Sequence, residues 1–154
     1  MEWIKYSGYP GRMVTADDTI VDALVEEAMY SFVDAYDRAY EAAATAHDLS
    51  VAQVCVLVRL REPRTMGSLA MELQCDASNI TQIVNRLEAR RLVAREADAT
   101  DRRARLLRLT RDGRRVVRGF EQRFDFSREA VGRLSPDEAR DLVRLLSKAL
   151  GKQA

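Results

Sequence analysis

The 154-residue chain is poor in the residues that build stapled, fibrous or unstructured proteins: two Cys, three Pro, seven Gly, one His and 6% aromatics. Cys55 and Cys75 are too few for a disulfide framework, and they do not form a C-x-x-C pair. The scarcity of Gly and Pro excludes a collagenous or low-complexity chain. A single histidine, His47, leaves little acid–base chemistry. It has no Ser/Asp set, phosphate loop, metal-ligand spacing or Gly-rich cofactor fingerprint around it, so neither an enzyme nor a cofactor is expected. No apolar run approaches the roughly 18–20 residues that span a bilayer. The opening Met1-Glu2-Trp3-Ile4-Lys5 lacks the apolar stretch of a secretory signal. These absences point to a cytoplasmic protein with no membrane partner.

What is present fits one soluble, helix-rich domain: 47% hydrophobic and 32% charged residues. The net charge of +1 conceals an asymmetry. Residues 1–58 hold three basic and ten acidic side chains, a net of −7, whereas residues 59–118 hold fifteen and eight, a net of +7. Every basic residue of that middle section is Arg. A basic segment beside an acidic one predicts a focused polyanion-binding surface.

The first 14 residues, with Gly8-Tyr9-Pro10-Gly11, read as an irregular arm. Thr15-Ala-Asp-Asp18 then opens a helix whose Ile20, Leu24, Ala28, Phe32, Tyr36, Tyr40 and Ala43 recur every three or four residues. It ends near His47. Its length of about 30 residues, or ~45 Å, exceeds what a small domain covers, so part of the stripe is expected to meet a second subunit. Ser50 caps a second helix that Pro63 stops. A short helix from Gly67 to Gln74, the turn Cys75-Asp76-Ala77 and a helix from Ser78 to Arg90 make a helix-turn-helix. Leu92–Glu96 and Arg105–Leu109 follow as a hairpin with the charged tip Asp98-Ala-Thr-Asp101. Thr110 opens one helix carrying Val116, Val117, Phe120, Phe124 and Val131. Ser135-Pro136-Asp137-Glu138 starts the last, which Gly151 ends.

In the helix after the turn, Ile80, Ile83, Val84 and Leu87 form a buried stripe at i, i+3, i+4 and i+7. Ser78, Asn79, Thr81, Gln82, Asn85 and Arg86 are left on the outer face, and all can hydrogen-bond. Such a helix fits the major groove of DNA, where Asn and Gln match adenine edges and Arg matches guanine. Asn79, Gln82 and Arg86 are the candidate base readers. Asp101-Arg102-Arg103 puts two guanidiniums on the wing, a charge suited to a narrow minor groove. Arg95, on the first strand of the hairpin, is either a phosphate contact or a structural partner of Asp101.

Leu49-Ser50-x-x-Gln53, Thr65-Met66-Gly67-x-Leu69-Ala70, Asp76-x-Ser78-x-x-Thr81, Arg86-Leu87-Glu88, Leu92-Val93-x-Arg95, Asp101-Arg102-Arg103 and Leu109-Thr110-x-x-Gly113 follow in this order. The series resembles the MarR family of bacterial transcription regulators. The resemblance implies a mainly α fold with a small β-hairpin wing, a winged helix-turn-helix flanked by N- and C-terminal dimerisation helices. The implied divisions are 1–48 (arm and dimerisation helix), 49–110 (winged helix-turn-helix) and 111–154 (C-terminal dimerisation helices). It further implies a homodimeric repressor on a pseudo-palindromic operator, released by a small molecule or by oxidation, with Arg103 in the minor groove, Asp101 orienting it and Arg102 on phosphate. One position departs from the family: Arg91 stands where a Gly usually follows the recognition helix. Either the helix closes differently there or Arg91 adds a phosphate contact.

Other residues have plainer readings. His47 suits a helix C-terminus, and with Tyr36 and Tyr40 it is also a candidate lining for an aromatic or phenolic effector. Cys55 and Cys75 read as small core residues, since the neighbouring Asp76 disfavours a reactive thiolate at Cys75. The alternative function is a winged-helix module that binds a protein partner and no specific DNA.

Overall fold

Capping decides where most of the helices begin. The computed structural model describes residues 16–97 and 105–152, and among them ten elements follow one another. The chain divides into two units, residues 1–35 and 36–154. Helix α1 (Ala16–Thr45) runs through both; its expected capping residue, Thr15, lies outside the described residues. In the first unit Ile20, Leu24, Val25, Met29 and Val33 are all more than half exposed. The N-terminal part of the stripe legible in the sequence is therefore an uncovered apolar face.

The second unit holds the winged helix. Ser50 begins α2 (Val51–Arg59) with a full capping box, its Oγ accepting from Gln53 N while Gln53 Oε1 accepts from Ser50 N. Thr65 caps α3 (Met66–Glu72) and Asp76 stands at the start of α4 (Ala77–Ala89). Strands β2 (Val93–Ala97) and β3 (Arg105–Leu109) pair antiparallel in the register Val93↔Leu109. A third strand, β1 (Arg64–Thr65), adds to the far edge of β3 through Arg64↔Leu107, giving the order β1-β3-β2. Two residues carry no hydrophobic period, so this strand has no sequence signal. Thr110 caps α5 (Arg111–Arg123), and Ser135 with Glu138 forms the second capping box at α7 (Pro136–Ala149). Leu57, Leu60, Leu69, Ile80, Val84, Leu87 and Leu107 are fully buried together, so the core of this unit lies inside the helix-turn-helix and its sheet.

The single helix expected after Thr110 is two. It breaks at Phe124, whose ψ of 79° ends α5, and resumes as α6 (Phe126–Val131). The break turns both rings toward the end of α1: Phe124 and Phe126 lie edge-on to Tyr36 at 5.1 and 5.7 Å, and Phe124 is 5.0 Å from Tyr40. Aromatic packing outweighs helix continuation here.

Glycine scarcity shows at the helix ends. Asp48, Gln74 and Arg91 adopt left-handed backbone with φ of 54°, 50° and 57°. Each closes its helix by the bonds that glycine ordinarily makes; after Arg91, Leu92 N donates to Leu87 O at 2.9 Å. Arg91 therefore keeps the usual closure despite its Cβ, at a cost of roughly 1 kcal/mol. Arg91→Gly is expected to raise unfolding free energy by about 0.5–1 kcal/mol in denaturant titration, the strain relieved being partly offset by a freer unfolded chain. Unchanged or lowered stability would show the closure to be unstrained.

Candidate nucleic-acid interface

Helix α4 has two faces. Ile80, Val84 and Leu87 are buried completely against α2, α3 and β2, with Ile83 half-buried beside them. On the opposite side Ser78, Asn79, Gln82, Asn85 and Arg86 are exposed, and Thr81 is half-buried. Thr81 Oγ1 donates back to Ala77 O at 2.7 Å, which fixes its rotamer but leaves the oxygen's lone pairs available. Arg86 has no partner among the described residues. The six side chains read from the sequence as one outer face thus lie along one side of one helix.

The approach to α4 is held by a left-handed Gln74 and by Cys75, whose amide donates to Ala70 O at 3.0 Å. The Cys75 thiol, half-buried, donates to Leu73 O at 3.2 Å and packs against the core. Asp76, at the first position before α4, makes no side-chain cap bond. The base of the motif is tied by Glu72 of α3, which pairs with Arg64 at 3.0 Å and Arg59 at 3.5 Å. Arg90, just past α4, donates to the backbone oxygens of His47 and Asp48 and straps α4 to the corner between α1 and α2. Much of the Arg excess is therefore structural, a role that charge counting does not separate from ligand binding.

The wing is joined to the helix by Arg95. Its guanidinium donates to Asn85 Oδ1 at 2.7 Å and to Glu88 Oε2 at 3.0 Å, so its partners among the described residues lie on α4. Across the hairpin Arg108 pairs with Glu96 at 2.9 Å. Asp101, Arg102 and Arg103 lie outside the described residues.

The candidate effector residues fall in two places. Tyr36 and Tyr40 belong to an aromatic cluster with Phe120, Phe124 and Phe126; Tyr40 and Phe120 are 4.9 Å apart. The Tyr40 hydroxyl lies 3.6 Å from Cys55 Sγ, and burial pushes its pKa well above the usual tyrosine value. His47 packs instead against Gly119 of α5, where an added Cβ would stand 2.7 Å from its Cε1. Its Nε2 is buried without a hydrogen-bond partner. Among the described residues no group of His, Cys, Asp and Glu is arranged to hold a metal ion. Nor is any helix there long and apolar enough to cross a membrane.

Comparison with known proteins agrees with this architecture. A model described as the MarR family matches residues 47–104, the helix-turn-helix and most of the wing. The chain is 34% identical over 89 residues to a putative transcriptional regulatory protein for the hcr operon of Thauera aromatica, covering 54% of this chain and 51% of that protein. It is 30% identical over 132 residues to the HTH-type transcriptional regulator TtmR of Methylorubrum extorquens, covering 82% of this chain and 66% of that one. The matched stretch thus spans about half the length of the first relative and about two thirds of the second. Among solved structures, a cysteine-to-serine variant of E. coli MarR complexed with operator DNA superposes with a TM-score of 0.66. That match has 25% identity over 89% of this chain and 99% of that one. With the ordered motifs, the two-faced α4 and the three-stranded wing sheet, these matches lead to one conclusion: residues 47–104 carry the helix-turn-helix of the MarR family of transcriptional regulators, and the chain has the winged-helix fold.

Proposed function

We propose that the protein is a homodimeric repressor that binds a pseudo-palindromic operator, with α4 in the major groove and the wing in the flanking minor groove. The observation that carries this reading is the outer face of α4: six hydrogen-bonding side chains with no Lys, set on a helix whose opposite face buries Ile80, Val84 and Leu87. A face that served only solubility would be richer in Glu and Lys. Arg102 and Arg103 extend the contact through the wing, with Asp101 orienting Arg103. The exposed apolar faces support dimerisation: Ile20, Leu24 and Val25 on α1, and separately Leu142, Leu145 and Leu146 on α7 with Leu150 at its end. Paired recognition helices would then read half-sites about one helical turn apart.

Release by a small aromatic or phenolic effector belongs to the same proposal. Tyr36 and Tyr40 provide aromatic walls for it, and His47, apart from them beside Gly119, an imidazole. A cavity of about 290 Å³ between the turn after α2, β3 and α5 offers a second location, with Leu60, Leu109 and Val117 as floor and Arg61, Arg108 and Arg118 at its rim. An effector bound at either place acts by favouring a dimer geometry whose recognition helices no longer match the groove spacing.

Selection of bound duplexes from a random DNA pool at physiological salt tests the reading. Enrichment of a pseudo-palindrome is expected; weak, salt-sensitive binding without a motif would favour the protein-interaction alternative. Gln82→Ala should then relax preference at one operator position at a cost of about 1–3 kcal/mol. Arg102→Ala should weaken all sequences alike and lower the salt slope by about one. Uniform loss in both variants would overturn the division between reader and anchor.

A further inference from the structure

We infer that Arg95 sets the hydrogen-bonding polarity of Asn85, turning its Nδ2 donor to the groove so that Asn85 selects guanine or thymine, whose acceptors it meets freely, over adenine, whose N7 acceptor sits beside the N6 amine. The inference rests on the DNA-binding reading above and adds to it which base one side chain takes.

Asparagine is the usual partner of adenine because its amide is bifunctional: the oxygen accepts from the adenine N6 amine while the nitrogen donates to N7. In this chain one lone pair of the oxygen is already engaged by a cation. Arg95 reaches from β2 to α4 and donates to Asn85 Oδ1 at 2.7 Å while its Nε holds Glu88 Oε2 at 3.0 Å. A guanidinium has donors only, so the chemistry assigns the amide oxygen to the Arg95 side and turns Nδ2 away from it. Asn85 is exposed on the outer face of α4, and Nδ2 has no partner among the described residues.

Two features keep the amide in this orientation. The bond to Oδ1 is charge-assisted and short, which makes it stronger than a neutral amide contact. Glu88, one turn further along α4, anchors the same guanidinium through its Nε, so Arg95 is held at two points. A base amine arriving at the remaining lone pair of Oδ1, from adenine N6 or cytosine N4, would stand beside the guanidinium N–H groups, donor against donor. Guanine O6 and N7, or thymine O4, meet the free Nδ2–H₂ without that conflict. Arg95 is thus a positioning residue: it acts on base choice through Asn85.

Random-pool selection with the full chain tests this, run in parallel on wild type, Asn85→Ala and Arg95→Met. Asn85→Ala identifies the operator position that Asn85 reads, as the one whose preference flattens. In wild type that position is expected to be guanine or thymine. In Arg95→Met the freed oxygen can accept again, so adenine should gain about fivefold or more relative to guanine at that position, with the other positions unchanged. A merely structural role for Arg95 would weaken binding across the site without changing base identity at one position. Adenine at the Asn85 position in wild type overturns the inference, whether or not Arg95→Met folds. So does a position unmoved by Arg95→Met, or an Asn85→Ala profile that flattens nowhere. Failure of wild type to enrich any motif is a different result: it overturns the DNA-binding reading itself.

Discussion

Gly113→Ala is expected to cost about 3 kcal/mol of folding stability and roughly 10 °C in melting temperature, although it adds one methyl group. Gly113 is buried in the first turn of α5, and a Cβ there would stand 2.0 Å from Leu92 O and 3.0 Å from its carbonyl carbon. The clash is with backbone and cannot be relieved by a rotamer change. Leu92 O is also committed, accepting from Thr110 N at 3.0 Å, while Thr110 Oγ1 accepts from Gly113 N at 3.0 Å. Moving Leu92 away would strain the start of β2 and loosen the α5 cap together. Thermal and urea unfolding of the variant check this; a loss under about 1 kcal/mol would mean that α5 slides off the wing without penalty.

Leu87→Ala should cost about the same, 2–5 kcal/mol, by a different route. Leu87 is fully buried on the inner side of α4, so truncation leaves a cavity where the recognition helix meets its support. Its carbonyl also receives Leu92 N at the left-handed closure of the helix. The contrast within α4 makes the test selective. Gln82→Ala on the exposed face should leave unfolding free energy within about 0.5 kcal/mol of wild type. If both variants destabilise alike, the two-faced assignment of α4 is wrong.

Much of this architecture was legible in the sequence because it rests on local rules. The stripe Ile80, Val84, Leu87 marks its own buried face by helical spacing, and the structure buries all three. Ser50 and Ser135 announce helix starts because a hydroxyl followed three residues later by Gln or Glu satisfies orphan amides within one turn. Gly151, at φ 65°, ends α7 where the sequence put a glycine. The outer face of α4 follows by subtraction once its inner face is known.

What the sequence could not convey involves partners distant along the chain. The break between α5 and α6 depends on Phe124 and Phe126 finding Tyr36, nearly ninety residues earlier. Arg90 looks like any cation of a basic segment until it is seen holding the backbone of His47 and Asp48. Arg95 offered two readings, and its bonds to Asn85 and Glu88 appear only when β2 folds back beside α4. The sequence by itself determined which segments are helical, which faces are apolar and which family's motifs they carry, because periodicity and capping act within a few residues. Only the tertiary structure decided which arginines are structural and which way the Asn85 amide points, because a guanidinium's role is set by the acceptors that folding brings within about 3 Å of it.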